Sequence, residues 1–354
     1  MTDKWKPLAA ATMVGSMPHQ DREKVIETVL RKLPEVPAWP QLSTFPPEQM
    51  MFQYSEGLPG IRLEEGRLFM DASNPDFETE LLAFYEEYFE VEAQSADIEH
   101  SRFKMSTETG GTFLRFLDAL ALRPTAPAAV KGQIVGPFTF LTAMKDRDGR
   151  ALIYNDSVRE AVPKHLAMKA RWQIGRLKRF ERPVILFLDE PALAGFGSSA
   201  FISISAELVA ELLDEVIDAV HQEGALAGVH VCANTDWRLV YQSGVDIINF
   251  DAFNFFDRFS LYRDEFKRFL AEGRIVAWGM TPTSDPSAIE EETATSLAER
   301  WNMSIQPLVD SETTLSTILS QSLFTPSCGC GSLPERLAER VLCLTHELSA
   351  LMRS

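Results

Sequence analysis

The chain has 354 residues, enough for one large α/β domain or two ordinary ones, and carries 51 acidic against 34 basic side chains for a net charge of −17. That balance argues against nucleic-acid backbones and anionic membranes as partners, because both are held by clustered cations. The segment Met1-Thr2-Asp3-Lys4-Trp5-Lys6 lacks the apolar stretch of a signal peptide, and no run approaches the ~20 apolar residues of a membrane helix, so a cytoplasmic protein is expected.

Short apolar runs alternate with longer periodic segments along the chain. Strands are expected near Thr12-Met13-Val14, Pro37-Ala38-Trp39-Pro40, Ala129 to Val135 and Val184 to Leu188, then at Ala225 to Val231, Asp246 to Phe250, Arg274 to Trp278 and Ser322 to Thr325. Helical spacing is clearest in Ala206 to Glu223, where Leu208, Leu212, Val216, Ile217 and Val220 recur on one face. Pro163 to Phe180, Trp237 to Ser243, Phe256 to Glu272, Ala288 to Leu308 and Pro334 to Met352 read similarly. Eight strands alternating with helices predict a (β/α)8 TIM barrel, α/β in class, as a single catalytic domain over 1–354. Residues 42–128 separate the second and third strands and are expected to form an insertion on the catalytic face, a lid or a substrate wall; Glu48 and Gln53 within it are placed to reach the mouth.

In such a barrel the residues just after each strand share one mouth. Here they are Val14-Gly15-Ser16-Met17-Pro18-His19, Asp189-Glu190-Pro191, His230-Val231-Cys232, Asn249-Phe250-Asp251 and Pro326-Ser327-Cys328-Gly329-Cys330-Gly331. His230 and Cys232 are two apart on a strand, so their side chains converge on one face. Asp251 and Cys328 supply the two further donors that a zinc site needs, with Cys330 as an alternative sulfur. Alone, Asp251 reads as a helix cap and His19 as a surface residue at a helix start. Four cysteines are too few for a disulfide scaffold at this length, and Cys343 falls on an amphipathic helical pattern that places it in a core.

Two thiolates, a carboxylate and a neutral imidazole around Zn²⁺ leave a net charge near −1. That makes a poor Lewis acid for carbonyls but a good holder of an incoming thiol, deprotonated yet nucleophilic, so thiol alkylation fits the donor set better than hydrolysis. For a thiol amino acid, Ser16 and adjacent N–H groups suit the carboxylate, and Asp189 or Glu190 the ammonium.

These motifs resemble the cobalamin-independent methionine synthases, specifically their C-terminal catalytic barrel, within the uroporphyrinogen decarboxylase-like barrel superfamily. Val14-Gly15-Ser16-Met17-Pro18 resembles the family's Ile-Gly-Ser-Phe-Pro turn that binds homocysteine, and Leu188-Asp189-Glu190-Pro191-Ala192-Leu193 its Val-Asp-Glu-Pro-Ala-Leu. His230-Val231-Cys232 is similar to its His-Met-Cys, and Pro326-Ser327-Cys328-Gly329 to its Pro-Asp-Cys-Gly. The resemblance implies His230, Cys232 and Cys328 as zinc ligands, Ser16 as a carboxylate contact and Asp189 as an amino-group contact.

The departures bear on the methyl donor. Asp251 falls where the family has a zinc-binding Glu, Ala143 where it has a folate-stacking Trp, and Trp278-Gly279-Met280-Thr281-Pro282 replaces its Asp-Ile-His segment with the proton-donating His. Folate as a leaving group needs protonation at nitrogen, whereas cobalt(I) departing from a methylcorrinoid does not. The expectation is therefore a zinc-dependent methyltransferase acting on a thiol, homocysteine above all, with a methylcorrinoid, carried in one version on a partner corrinoid protein, as the favoured donor. A methyltetrahydrofolate-dependent methionine synthase, a metal-free uroporphyrinogen decarboxylase-type enzyme and a non-catalytic zinc protein stand as alternatives.

Overall fold

A computed structural model describes residues 5–354; residues 1–4, on which part of the signal-peptide expectation rests, lie outside the described residues. Eleven strands occur among them: β1 (Ala10–Ala11), β2 (Ser16–Met17), β3 (Gln41–Leu42), β4 (Ile61–Glu64), β5 (Arg67–Met70), β6 (Val130–Val135), β7 (Val184–Asp189), β8 (Leu226–Val231), β9 (Ile247–Phe250), β10 (Ile275–Thr281) and β11 (Ser322–Pro326). Seven form one parallel sheet in the order β1-β11-β10-β9-β8-β7-β6. The gap between β1 and β6 is filled by β2 pairing parallel with β3 and by a parallel bridge from Ala38 to Lys131, which completes eight strand positions around a TIM-type barrel.

The long strands form where every residue is buried. Val184–Asp189 and Val130–Val135 are buried on both faces, the state of a parallel sheet sheathed in helices. Inward side chains at one end, including Ile185, Phe187, Ile247, Ile275, Ala277 and Leu323, form an apolar plug, so the barrel is packed rather than open along its length. Outward side chains meet the helical ring. In the helix Ala206–Gln222, Ser205 accepts a hydrogen bond from Leu208 N (3.2 Å), and Val209, Leu212, Leu213, Val216 and Val220 are buried.

Boundaries differ from the sequence reading at a few places. The first strand pairs at Ala10–Ala11 and Ser16–Met17, on either side of Thr12–Val14, because the chain changes partners there from β11 to β3. The helix expected from Pro163 begins at Asp156, capped by Asn155, with Pro163 inside it. The segments expected as single helices at 256–272 and 288–308 are broken, into Ala252–Phe259, a 3₁₀ turn and Arg263–Ala271, and into Pro286–Glu291 and Ala294–Ile305. No helix among the described residues is long and apolar enough to cross a membrane.

Between β3 and β6 the chain forms the helix Met50–Ser55, the hairpin β4–β5, and the helices Phe77–Glu92 and Gly111–Ala121. Gln53 and Tyr54 are fully buried against the barrel: the Tyr54 hydroxyl donates to Gln133 O (2.6 Å), and Gln41 Nε2 donates to Gln53 Oε1 (2.8 Å). Glu48 is buried too, accepting from Arg22 Nη2 (3.0 Å), Thr112 N (3.1 Å) and the Thr112 hydroxyl (2.7 Å). A carboxylate with this many donors is a fixed wall element.

Away from the mouth, His221 Nε2 lies 2.8 Å from Asp246 Oδ2, and that hydrogen bond raises the imidazole above its ordinary value against the opposing effect of burial. A folded-state value raised above the unfolded one gives stability that is complete below the unfolded value and is lost as pH rises through the folded one. Chemical denaturation should show His221→Gln losing more stability relative to wild type at pH about 5.5 than at about 8.5. An equal loss at both would mean that the pair is not an ion pair.

Candidate metal centre

The register of the parallel strands sets the site. Asp189 stands beside His230, and His230 beside Asn249, so the ends of β7, β8 and β9 present one row of polar side chains above the plug. His230 Nδ1 lies 2.6 Å from Asn249 Oδ1. Asn249 Nδ2 donates to Ala277 O (2.8 Å) and to the Thr325 hydroxyl (2.9 Å), which in turn donates to Pro326 O (2.8 Å). The amide orientation is thereby fixed, Oδ1 can only accept, and Nδ1 carries the imidazole proton. His230 Nε2 is left buried, with a lone pair and no partner.

That nitrogen belongs to a tight group. The donor atoms of His230, Cys232 and Cys328 all lie within 4.8 Å of one another. The neighbouring Cys328, and after it the proximity of His230, pulls the Cys232 thiol well below its ordinary value, and the same contact between the sulfurs holds Cys328 up. One imidazole nitrogen orphaned in a buried site and two sulfurs converging on it form a soft donor set of the kind zinc takes, and the remaining ring nitrogen is held by a hydrogen bond, as in metal-binding histidines generally. The residues fit the ion.

The structure does not bring Asp251 into this group. It sits one residue past β9 and caps the helix Ala252–Phe259, accepting from Asn254 N (2.9 Å) and from Asn254 Nδ2 (2.7 Å) on its two oxygens. Cys330 is also elsewhere: it is 2% exposed and packed among Met17, Val25, Leu333 and Leu337 in the outer core, while its N–H donates to Ser16 O (2.8 Å). The two sulfurs of Cys328-Gly329-Cys330 part because the chain turns there, and a Cβ on Gly329 would collide with Ser16 Oγ. Cys343 is half-buried on the C-terminal helix, away from the group.

Beside the three donors lies a cavity of about 440 Å³, lined also by Val14, Ser16, Glu48 and Asp189. Asp189 is 4% exposed and its Oδ1 has no partner; burial pushes its carboxyl up to about 6, against the pull of His230 and Lys131. Ser16 Oγ accepts from Gly331 N (3.3 Å), which leaves the hydroxyl hydrogen free to donate into the cavity. Glu190 turns the other way. It is fully buried, its oxygens accept from Phe138 N (2.9 Å), Thr139 N (2.8 Å) and the Thr139 hydroxyl (2.6 Å), and burial pushes it up to about 7. It holds the start of the helix Pro137–Ala143, so its expected ammonium contact gives way to a structural role.

One residue that supports the site, Asn249, has no role in the sequence reading. Asn249 was passed over because an amide does not read as part of a metal centre, although its place at a strand end beside His230 was visible. Glu48 was noted as within reach and does line the cavity. His19, expected on the surface, is fully buried, with Nε2 3.4 Å from Glu339 Oε1, because the helix Glu335–Met352 packs over it. His19, Glu335 and Glu339 form a second group of potential ligands, but Lys24 Nζ already lies 3.0 Å from Glu335 and 3.2 Å from Glu339 and neutralises it.

No family model matches the chain, and no curated protein matches it. Among solved structures, it is similar to a B12-independent methionine synthase from Shewanella sp. W3-18-1 in complex with selenomethionine, with TM-score 0.53 and 14% identity over 98% of each chain. It is also similar to a methyltransferase from Methanosarcina mazei, with TM-score 0.53 and 9% identity over 96% of this chain and 93% of that one. At these identities the likeness shows the fold, a TIM-type α/β barrel.

Asn249→Ala should weaken zinc binding by about 10–100-fold, measured by competition with a chelator, since the imidazole loses the acceptor that orients it. It should also cost about 1–3 kcal/mol of folding stability through the stranded donor. Cys328→Ser should lower zinc affinity, whereas Cys330→Ser should leave it unchanged; the reverse order would move the sulfur ligand to Cys330.

Proposed function

We propose that the protein is a zinc-dependent methyltransferase that moves a methyl group to a thiol, homocysteine above all, to give methionine, with a methylcorrinoid as donor. The observation that carries this reading is the orphaned, buried Nε2 of His230 converging with Cys232 and Cys328 on a cavity whose other wall offers Ser16 and Asp189. The donor set and the similar folds of a methionine synthase and a methyltransferase support it jointly.

His230, Cys232 and Cys328 would hold the zinc, leaving a fourth position toward the cavity because Asp251 is engaged by Asn254. Zinc bound there supplies the positive charge that keeps a substrate thiol deprotonated at neutral pH. Asp189, desolvated and without a partner on Oδ1, accepts hydrogen bonds from the substrate ammonium. Ser16 donates to the substrate carboxylate, and the wall built by Glu48 limits how the chain of the amino acid can lie. The cavity is in the range that accommodates a small amino acid together with the reactive end of a donor.

A methylcorrinoid would supply an electrophilic methyl group to the substrate sulfur and would keep the electron pair of its carbon–cobalt bond, while the thiol proton would be lost to solvent. No protonation of the leaving group is needed. The lining suits that economy: His230 is the one imidazole among the described residues that line the cavity, and its Nδ1 proton is committed to Asn249. Ala143, where a stacking ring would meet folate, is an exposed methyl at the end of its helix, and Trp278 is buried in β10 with Nε1 on Ser322 Oγ (2.8 Å). A decarboxylase of polycarboxylated tetrapyrroles would need basic side chains for the carboxylates, and the described residues that line the cavity include no Arg or Lys.

Zinc-loaded protein mixed with methylcobalamin and homocysteine should lose the methylcobalamin spectrum and form methionine in equal amount, with Asp189→Asn raising the KM for homocysteine by about 10–100-fold through the lost charge-assisted contact. Methionine formed from methyltetrahydrofolate without any corrinoid would replace the donor, and no thiol methylation from either would overturn the function.

A further inference from the structure

Lys131 is fully buried inside the barrel, an arrangement that costs several kcal/mol unless the ammonium is well partnered. Its Nζ donates to Val14 O (2.7 Å) and to Gln133 Oε1 (3.2 Å) and lies 4.3 Å from the centre of the Phe187 ring, with Asp189 as a counter-charge further along the interior. Gln133 is fixed in turn by donating from Nε2 to Trp39 O (2.9 Å). The acceptor on Val14 is the informative one. It lies where the first strand leaves β11 and joins β3, two residues before Ser16, and both Val14 and Ser16 line the cavity. At that crossing the ammonium supplies a donor to a main-chain carbonyl from inside the barrel, while Gly15 O accepts from Gln41 N (3.0 Å) on the β3 side.

We infer that Lys131 is a positioning residue that anchors the Val14-Gly15-Ser16 turn to the barrel interior and so sets where a substrate carboxylate is received. The inference rests on the reading of the cavity as an amino-thiol site. It differs from a purely structural role in a definite way: displacing the turn weakens ligands that carry a carboxylate and spares those that lack one. His230 is in β8, Cys232 one residue past it and Cys328 two residues past β11, and none of the three is a hydrogen-bond partner of Lys131; because the Cys328 segment also meets Ser16, through Cys330 N–H on Ser16 O, zinc content is measured alongside.

The test is calorimetric binding of homocysteine and of its decarboxylated analogue, an amino thiol, to zinc-loaded wild type and Lys131→Met, with zinc content measured in both. Wild type should favour homocysteine by about 10–100-fold, the worth of one charge-assisted contact. In Lys131→Met that preference should fall by about tenfold or more with zinc content unchanged; a loss through Asp189, whose counter-charge goes with the lysine, falls on both thiols alike and leaves the preference as it was. Lys131→Gln, one atom shorter but still a donor, carries the same comparison should the Met variant not fold, with a smaller loss in the same direction. Equal weakening of both thiols, or a preference retained in a folded variant, overturns the inference alone. A wild-type protein that binds neither thiol overturns the reading of the cavity and the inference with it.

Discussion

The hydrogen bond between His230 Nδ1 and Asn249 Oδ1 is the contact on which the proposed metal centre of this barrel depends. It exists because parallel pairing sets residues of β8 and β9 side by side, and because Asn249 is itself pinned by β10 and β11. Four adjacent strands therefore cooperate to decide which nitrogen of one imidazole carries a proton. The outcome is a lone pair pointing at two sulfurs. Without that register the same His and Cys would be ordinary interior side chains.

The barrel separates its duties by height. Below the row of Asp189, His230 and Asn249, the interior is an apolar plug, with Lys131 and Gln133 set into it on β6, that gives the strands a reason to close. Above it, polar groups are either fully committed to the fold or left open to the cavity. Glu190, Glu48 and Asp251 are acidic groups near the mouth whose oxygens are filled by Thr139, by Arg22 and Thr112, and by Asn254. Asp189 is the contrast: buried beside them, yet with Oδ1 unpartnered. A buried carboxylate oxygen without a donor costs stability, and in the proposed function the substrate ammonium supplies that donor.

Much of the architecture was legible in the sequence because strands buried on both faces appear as unbroken apolar runs, as in Val184–Asp189. The first strand was misplaced by a few residues since its ladder is split between two partners, something no periodicity reveals. Among site residues, the convergence of His230 and Cys232 followed from strand alternation alone. The choice between Cys328 and Cys330 did not, because that rule lapses in a turn, and here Gly329 and Gly331 let the chain pack against Ser16. Asp251 and Glu190 each had a capping role and a site role open to them; only the position of Asn254, and of Phe138 and Thr139, decides between the two. His19 was hidden by a contact with a helix more than three hundred residues away in the chain.

The central claim is that His230, Cys232 and Cys328 hold a zinc ion with a position open to a thiol. X-ray absorption at the zinc edge, on the purified protein with and without homocysteine, tests it most directly. The account predicts a shell of one nitrogen and two sulfurs among its ligands that gains one sulfur when homocysteine is added. A closed shell that homocysteine leaves unchanged, or protein that cannot be loaded with zinc, would contradict it.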